Sequence, residues 1–205
     1  VADAQRGRDD TCPDFNQAMI DELGARSGVK LVVLSARWPA YMNAQPKYYL
    51  NPISLRLLDA ATDGRSIPMD HALVRTLDAI ARAAPGVRVV VIGPVPELPF
   101  VLPHCLAEAG HLRRSDRGCR AVPSATPLAR AAGAEAAIGA AIRTRPFATA
   151  AFPTAALCTS AVCRTMDGEA QLYFDSHHLS ASAARRLAPA WLDAALAPPT
   201  SEPIS

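Results

Sequence analysis

Apolar residues follow two spacings along the chain: continuous β-branched runs, and stripes that recur every three to four residues. Two continuous runs, Val29–Ser35 and Val87–Ile92, predict buried strands of a parallel sheet, because strands covered on both faces are apolar at nearly every position. A weaker run at Phe147–Phe152 predicts a third strand. The stripes of helical spacing predict four helices, over residues 12–26, 69–84, 127–143 and from Ser180 to about 196.

The predicted order is helix, strand, helix, strand, helix, strand, helix. This alternation is typical of an α/β fold in which helices cover a parallel sheet. Two proline-containing segments between the elements, 36–68 and 93–123, are predicted to be long loops. The domain is expected to span residues 12–196, with a flexible leader at 1–11 and a disordered tail at 197–205.

Three strands make a small sheet for this class of fold, and the first residue of the sequence is Val1 rather than Met. Both features lead to the expectation that the domain is N-terminally truncated in this sequence.

Composition and charge exclude several classes of protein. The 205 residues are 50% hydrophobic and 20% charged, which is typical of a globular chain rather than a disordered one. The net charge of +2 is too small to indicate binding to nucleic acid or to an anionic membrane. No apolar run reaches the roughly 18 residues that a membrane-spanning helix needs.

The cysteines bear on the compartment. Cys158 and Cys163 bracket a short loop and Cys105 and Cys119 a longer polar one, which favours two disulfides and an oxidising compartment. Buried free thiols are the alternative. Cys12 is left over as a free thiol, an intermolecular bridge or half of a pair whose partner is missing. No Cys-x-x-Cys or Cys/His metal module is present, and no signal-peptide pattern begins the sequence.

The segment between a short extended piece and the last helix holds the clearest candidate chemistry. Asp175 and His178 are three residues apart, a spacing at which a tight turn lets the carboxylate accept a hydrogen bond from the imidazole. A base held in this way can activate a hydroxyl nucleophile. The alternatives are a polar turn in which Ser180 caps the helix, and a metal site that adds His177; no metal is expected, because adjacent histidines tend to point apart.

A complete hydrolase also needs a nucleophile. The sequence contains neither a Gly-x-Ser-x-Gly elbow nor a Gly-Asp-Ser block. Ser35, at the end of a predicted strand, is the one serine in a nucleophile-like position, but no glycine beside it would allow a strained turn. The nucleophile is therefore left unassigned.

Four blocks of the chain resemble a known family. Leu172–Ser180, followed by Ala183–Leu187, resembles the last block of SGNH-type domains, in particular those fused to the C-terminus of acyltransferase-3 membrane proteins. Val32–Trp38 and Val89–Glu97 are similar to two strand blocks of the same family. Leu157 and the following cysteines match its approach to the last block. The resemblance covers roughly residues 12–195 and implies a flavodoxin-like SGNH three-layer sandwich.

The resemblance implies a Ser-His-Asp triad. Asp175 would orient the ring of His178, which would act as general base and then as general acid. The family's serine follows the first strand of the domain, so it would lie upstream of this sequence, and the chain alone would be inactive. Arg37 and Trp38 stand where the family's oxyanion asparagine would be expected and are candidates for the substrate cleft. Packing under the loop is the alternative for Trp38.

Function and partners also follow from the resemblance. Such domains transfer acetyl groups to bacterial cell-surface polysaccharides, including lipopolysaccharide O-antigen. The expected partners are a membrane-embedded acyltransferase domain upstream in the same polypeptide and a polysaccharide acceptor, with no nucleic acid and no cofactor. The expected location is extracytoplasmic, tethered to the inner membrane. A secreted carbohydrate esterase and a degenerate, non-catalytic glycan-binding module remain as alternatives.

Overall fold

A three-stranded parallel sheet organises the structure, a computed structural model that describes residues 2–3, 12–42, 57–59 and 65–197. The strands are β1 (Ala2–Asp3), β2 (Leu31–Ser35), β3 (Leu57–Asp59), β4 (Arg65–Ser66), β5 (Arg88–Ile92), β6 (Ala121–Pro123), β7 (Ala148–Ala151), β8 (Val162–Arg164), β9 (Met166–Asp167) and β10 (Ala170–Gln171). The helices are α1 (Cys12–Ala25), α2 (Met69–Ala83), α3 (Leu102–His111), α4 (Arg117–Arg120), α5 (Ala125–Ile142), α6 (Thr154–Leu157) and α7 (Ala181–Leu196).

The three predicted strands are confirmed as β2, β5 and β7, which pair in parallel in the order β2-β5-β7. The central strand β5 is fully shielded from solvent at Val89, Val90 and Val91. This burial explains its continuous apolar run, because helices cover both faces of a parallel sheet. The weaker third strand, β7, carries small side chains that let a helix approach closely.

Successive residues of β5 point to opposite faces of the sheet and enter different cores. Val89 and Val91 belong to a core formed with α2 and α5, and Val90 belongs to a second core formed with α7. The apolar stripe predicted for α2, which consists of Leu73, Leu77 and Ile80, is buried in the first of these cores. The result is helix, sheet and helix in three layers, which confirms the predicted α/β flavodoxin-like class.

Arg88 holds the C-terminal end of α7 against the sheet. Its guanidinium donates to the carbonyls of Ala195, Leu196 and Ala197, at 3.2, 2.8 and 3.0 Å. These are carbonyls that the end of a helix leaves without an intrahelical partner, and a cation there also complements the helix dipole. This anchor fixes the direction of α7, whose other end adjoins the candidate site.

The two segments predicted to be long loops contain regular structure. Within 36–68 the described residues form a 3-10 turn at Trp38–Tyr41 and the strands β3 and β4. Within 93–123 they form α3, α4 and β6. The loop was predicted from the proline-rich stretch 93–99, which does lack helix and strand, but the prediction was wrong beyond it, because α3 begins at Leu102 with Pro103 in its first turn, where proline is tolerated.

The ends of the chain are only partly described. Of the predicted leader, Ala2–Asp3 forms β1 and pairs with β3. Residues 4–11 of the predicted leader and 198–205 of the predicted tail lie outside the described residues, as does the side chain of Cys12.

Both predicted cysteine pairs form disulfides, Cys105–Cys119 and Cys158–Cys163. They lie in a further core under the loop between β10 and α7, where Leu172 and Tyr173 are buried. The free-thiol alternative is therefore wrong for these four cysteines. The two disulfides fit an extracytoplasmic compartment.

Removing the Cys105–Cys119 disulfide is expected to cost more stability than removing Cys158–Cys163. The two bridges close loops with sequence separations of 14 and 5. In the chain-entropy account, these loops correspond to losses of about 3 and about 2 kcal/mol in the free energy of unfolding. Urea denaturation of the two double Cys→Ala variants measures the difference. Equal midpoints, or the reverse order, would show that the longer bridge does not constrain the unfolded chain as proposed.

Candidate active site

A closed turn between β10 and α7 carries the candidate catalytic residues. The N–H of Phe174 donates to the carbonyl of His178 at 2.9 Å, and the N–H of Ser180 donates to the carbonyl of Leu172 at 2.9 Å. Leu172 and Tyr173 anchor the turn in the core, and the Tyr173 hydroxyl donates to the carbonyl of Pro96 at 3.0 Å. The turn is thus fixed at its base and exposed at its tip.

Ser180 caps the helix that follows, as predicted. Its Oγ accepts a hydrogen bond from the N–H of Ala183 at 3.2 Å. A serine at this position satisfies one of the N–H groups that the first turn of a helix leaves unpaired. The cap and the Asp175–His178 pair occur together, so the two interpretations of this turn do not exclude each other.

Asp175 and His178 are joined by a hydrogen bond of 2.7 Å between Oδ2 and Nδ1. The other carboxylate oxygen, Oδ1, accepts the backbone N–H groups of His177 and His178 at 2.7 and 2.8 Å. Burial raises the pKa of Asp175, but these hydrogen bonds outweigh it and lower the pKa to about 2. The carboxylate is ionised at neutral pH and can only accept, so Nδ1 of His178 carries the proton.

The tautomer leaves Nε2 of His178 with a lone pair, as a general base requires. The His178 side chain is 63% exposed, so this edge of the ring is open to a substrate or to another polypeptide segment. Within the described residues, Asp175 is the hydrogen-bond partner of the His178 ring. A nucleophile is not among the described residues that contact it.

His177 lies beside His178 in a different environment. The two ring centroids are 4.1 Å apart, but the His177 side chain is 17% exposed, and its Nδ1 is 3.1 Å from the Ser176 hydroxyl. Burial lowers the pKa of His177, the nearby charge of Arg37 lowers it further, and the charge of Asp175 opposes them. His177 is therefore neutral at pH 7.

Asp175, His177 and His178 could together hold a cation. Their potential ligand atoms all lie within 4.8 Å of one another. The Nδ1 atom of His178 would have to give up its proton and its hydrogen bond to Asp175 to become a ligand. A cation bound through Nδ1 of His178 and the Asp175–His178 hydrogen bond would therefore be alternative uses of the same atoms.

An ion pair joins the loops that follow β2 and β5. Arg37 donates to both carboxylate oxygens of Glu97, at 2.9 and 3.2 Å, and Glu97 is 3% exposed. The next residue, Leu98, donates its N–H to the carbonyl of Ser176 at 2.7 Å. These contacts bring the predicted site residue Arg37 to the turn that carries the Asp–His pair, at the carboxyl ends of β2 and β5.

The sequence-based site did not include Glu97. A signal was present, because Glu97 is the one charged residue in the apolar, proline-rich stretch 93–103. An isolated carboxylate in such a stretch indicates burial with a charged partner. The identity of that partner depends on a contact between residues 60 positions apart, which spacing alone does not reveal.

The side chain of Trp38 packs against the protein core. Its indole N–H donates to the carbonyl of Ile92 at 2.6 Å, and its ring packs against the first core. This arrangement supports the packing alternative. A role for Trp38 in binding substrate stays a prediction.

Ser35 ends β2, the edge strand of the parallel sheet within the described residues. None of the hydrogen bonds found in the described part of the chain joins Ser35 to His178. The outer edge of β2 has no partner strand there, and its side chains Leu31 and Val33 are exposed. An apolar groove of about 860 Å³ lies between α1, β2 and α2, away from the Asp–His pair.

Comparison with known proteins gives the family and the fold. A family model described as "SGNH domain (fused to AT3 domains)" matches residues 1–193. The solved structure of the Salmonella ser. Paratyphi A lipopolysaccharide acetyltransferase periplasmic domain has the same fold, with a TM-score of 0.52 and 17% sequence identity. The similarity covers 86% of this chain and 62% of that one, so this chain spans less than two thirds of its structural relative.

No curated protein matches the chain. Among the described residues, no helix is long and apolar enough to cross a membrane. The family match covers nearly the whole sequence and agrees with the blocks identified above and with the three-layer fold. The chain therefore belongs to the family of SGNH domains of the type fused to AT3 domains.

Proposed function

We propose that this chain forms the base-bearing part of an extracytoplasmic acyltransferase domain that transfers acetyl groups to a cell-surface polysaccharide. The observation that supports this most strongly is the Asp175–His178 pair, with its 2.7 Å hydrogen bond and an exposed ring. The pair lies against the loops that follow two parallel strands, and this end of the sheet is where α/β folds usually place their sites.

In the proposed reaction, Nε2 of His178 takes the proton of a serine hydroxyl as the serine oxygen attacks the acyl carbonyl. The proton then passes to the leaving group of the acyl donor, and an acyl-serine remains. In the second half, His178 takes the proton of a sugar hydroxyl, which attacks the acyl-serine. The serine oxygen recovers the proton when the sugar ester is released. Asp175 stabilises the imidazolium in both halves.

The serine is proposed to lie on a further segment of the polypeptide that pairs with β2. The sequence of β2 is that of a strand covered on both faces, yet its outer edge has no partner among the described residues. A parallel strand added there would end beside Ser35, next to the loop of Arg37. Backbone N–H groups near that serine would stabilise the oxyanion.

The family description supports the proposed partner and location. The chain belongs to the SGNH domains described as fused to AT3 domains, so the acyl group would come from a membrane-embedded domain of the same polypeptide. The two disulfides and the fold shared with a periplasmic domain support an extracytoplasmic site, tethered to the inner membrane. No cofactor within this domain is needed for the proposed chemistry, and nucleic acid plays no part in it.

The proposal is tested in the full-length polypeptide. Cells that lack their own O-acetylation and express this polypeptide are expected to carry acetylated polysaccharide, measured by NMR of the purified glycan. A form without residues 12–197 is expected to lose the acetyl groups while the membrane domain is still produced. Unchanged acetylation in that form would contradict the proposal.

Hydrolysis is the second candidate, because the exposed ring of His178 would also admit water as the acyl acceptor. A secreted esterase would release free acetate from an acetylated glycan and would not acetylate a bare one. A second strain, whose polysaccharide is already acetylated, separates the two: there an esterase lowers the acetyl content, whereas the transferase raises it in cells that lack O-acetylation. A degenerate glycan-binding module would change neither.

A further inference from the structure

A rigid turn follows α3, at residues 111–117, which we name the basic turn. The Cys105–Cys119 disulfide closes its base. The N–H of Arg114 donates to the carbonyl of Ala109 at 2.9 Å, which closes the end of the helix as in a Schellman motif. Arg113 has a φ of 50°, the left-handed conformation that such a closure requires. The backbone of the basic turn is therefore fixed before any ligand binds.

The basic turn presents unpaired positive charge. Arg113, Arg114 and Arg117 are exposed, and none of them has a side-chain ion pair or hydrogen bond among the described residues. The nearby carboxylate of Asp116 accepts from Arg120 at 2.6 Å and is therefore already engaged. The net charge of +2 for the whole chain hides this local excess, because acidic residues elsewhere balance it.

The basic turn also contains an exposed apolar residue. Leu112 is 44% exposed and directly precedes Arg113 and Arg114. Arginines close in sequence to an exposed large apolar side chain are typical of surfaces that bind the interface of a lipid bilayer. A soluble polyanion offers the arginines phosphate or sulfate groups, but it offers Leu112 no apolar phase to enter.

We propose that the basic turn docks this domain on an anionic lipid bilayer, with Leu112 in the interface and the three arginines over the lipid phosphates. The turn lies at the far end of α3, about 15 Å of helix from the loop that carries Glu97. Docking there would hold the Asp175–His178 pair near the membrane surface. The inference does not rest on acyl transfer and stands or falls separately from it.

Vesicle binding by the 205-residue chain tests the proposal. We expect sedimentation with vesicles of equal phosphatidylglycerol and phosphatidylcholine, and little with phosphatidylcholine alone. Near an anionic surface each arginine contributes about fivefold in binding, so R113Q/R114Q/R117Q is expected to weaken binding by about 100-fold. The matched control R82Q/R143Q/R185Q removes the same charge from three exposed positions elsewhere and is expected to cost much less.

A substitution of Leu112 distinguishes binding to a lipid bilayer from binding to a soluble polyanion. L112S is expected to weaken vesicle binding by about fivefold and to leave binding to dextran sulfate unchanged. Far-UV circular dichroism confirms that each variant is folded, and thermal midpoints are expected to match, since the substituted side chains are exposed. Three outcomes would overturn the proposal: no binding to the anionic vesicles, equal losses in the two triple variants, or no effect of L112S on vesicle binding.

Discussion

Replacing His178 with alanine in the full-length polypeptide is expected to lower acyl transfer by three to four orders of magnitude. The reason is that Nε2 of His178 is the proposed base, and its tautomer is set by the 2.7 Å hydrogen bond to Asp175. D175N is expected to cost a similar factor, because an amide can donate to Nδ1 and so favours the wrong tautomer. Initial rates with an activated acetyl ester, together with the acetyl content of the polysaccharide, measure both variants.

The neighbouring histidine provides the control. His177 has the same side chain and lies one residue away, but its ring is within hydrogen-bond distance of the Ser176 hydroxyl rather than of the Asp175 carboxylate. H177A is expected to cost no more than about tenfold in rate, because in the proposed reaction His177 transfers no proton. A loss in H177A as large as that in H178A would contradict the assignment of His178 as the base.

The pH dependence follows from the direction of the Asp175 shift. Its pKa is lowered to about 2, below the value of 3.8 for a free aspartate. The ionised carboxylate therefore contributes fully to the free energy of unfolding above about pH 4, and this contribution is lost as the pH falls towards 2. Between pH 4 and 8 the carboxylate stays ionised. A fall in activity within that range must therefore come from another group, and the acid side of a pH–rate profile measured there would not report on Asp175.

The Asp175–His178 pair could be predicted from the sequence because its geometry is local. Three residues separate the partners, the turn is closed by its own backbone hydrogen bonds, and Ser180 begins the next helix. The strands β2, β5 and β7 were predictable for a related reason. Burial on both faces of a sheet leaves a continuous apolar run, and this requires no knowledge of which strands are neighbours.

The contacts that place Arg37 at the site could not be predicted in the same way. Glu97, the partner of Arg37, is 60 residues away in the sequence. The turn between β10 and α7, which Leu98 contacts at Ser176, lies roughly another 80 residues along the chain. The helix α3 was missed because few of its side chains are buried, Leu102 and Ala109 among them. Its packing depends on the Cys105–Cys119 disulfide and on the core beneath the turn between β10 and α7, which are long-range features.

Glu97 links the sheet to the site, and its removal is expected to be among the most destabilising single changes in the domain. E97A would leave Arg37 without the carboxylate that now accepts its two hydrogen bonds. Breaking a buried ion pair from one side costs about 3–5 kcal/mol in the free energy of unfolding. The side chain of Arg37 is 20% exposed, so water can solvate part of its charge, and we expect a value near 3 kcal/mol.

The double variant R37M/E97L distinguishes the effect of losing one charge of the ion pair from the effect of losing side-chain packing. It removes both ions and keeps apolar bulk, so it is expected to recover most of the stability that E97A loses. Urea unfolding of the wild type and both variants provides the measurement. If R37M/E97L is no more stable than E97A, the cost of E97A arises from lost packing rather than from the loss of the carboxylate beside the Arg37 charge.

Removing either charge of the Arg37–Glu97 ion pair is also expected to change the pKa of His177. The charge of Glu97 raises the pKa of His177 and the charge of Arg37 lowers it, while burial lowers it most. E97Q is therefore expected to lower the pKa of His177 further, and R37Q to raise it. NMR titration of the His177 ring measures both shifts. Opposite shifts in the two variants would show that the ion pair acts electrostatically on the turn that carries His177, whereas an unchanged titration in both would mean that the pair only holds the two loops together.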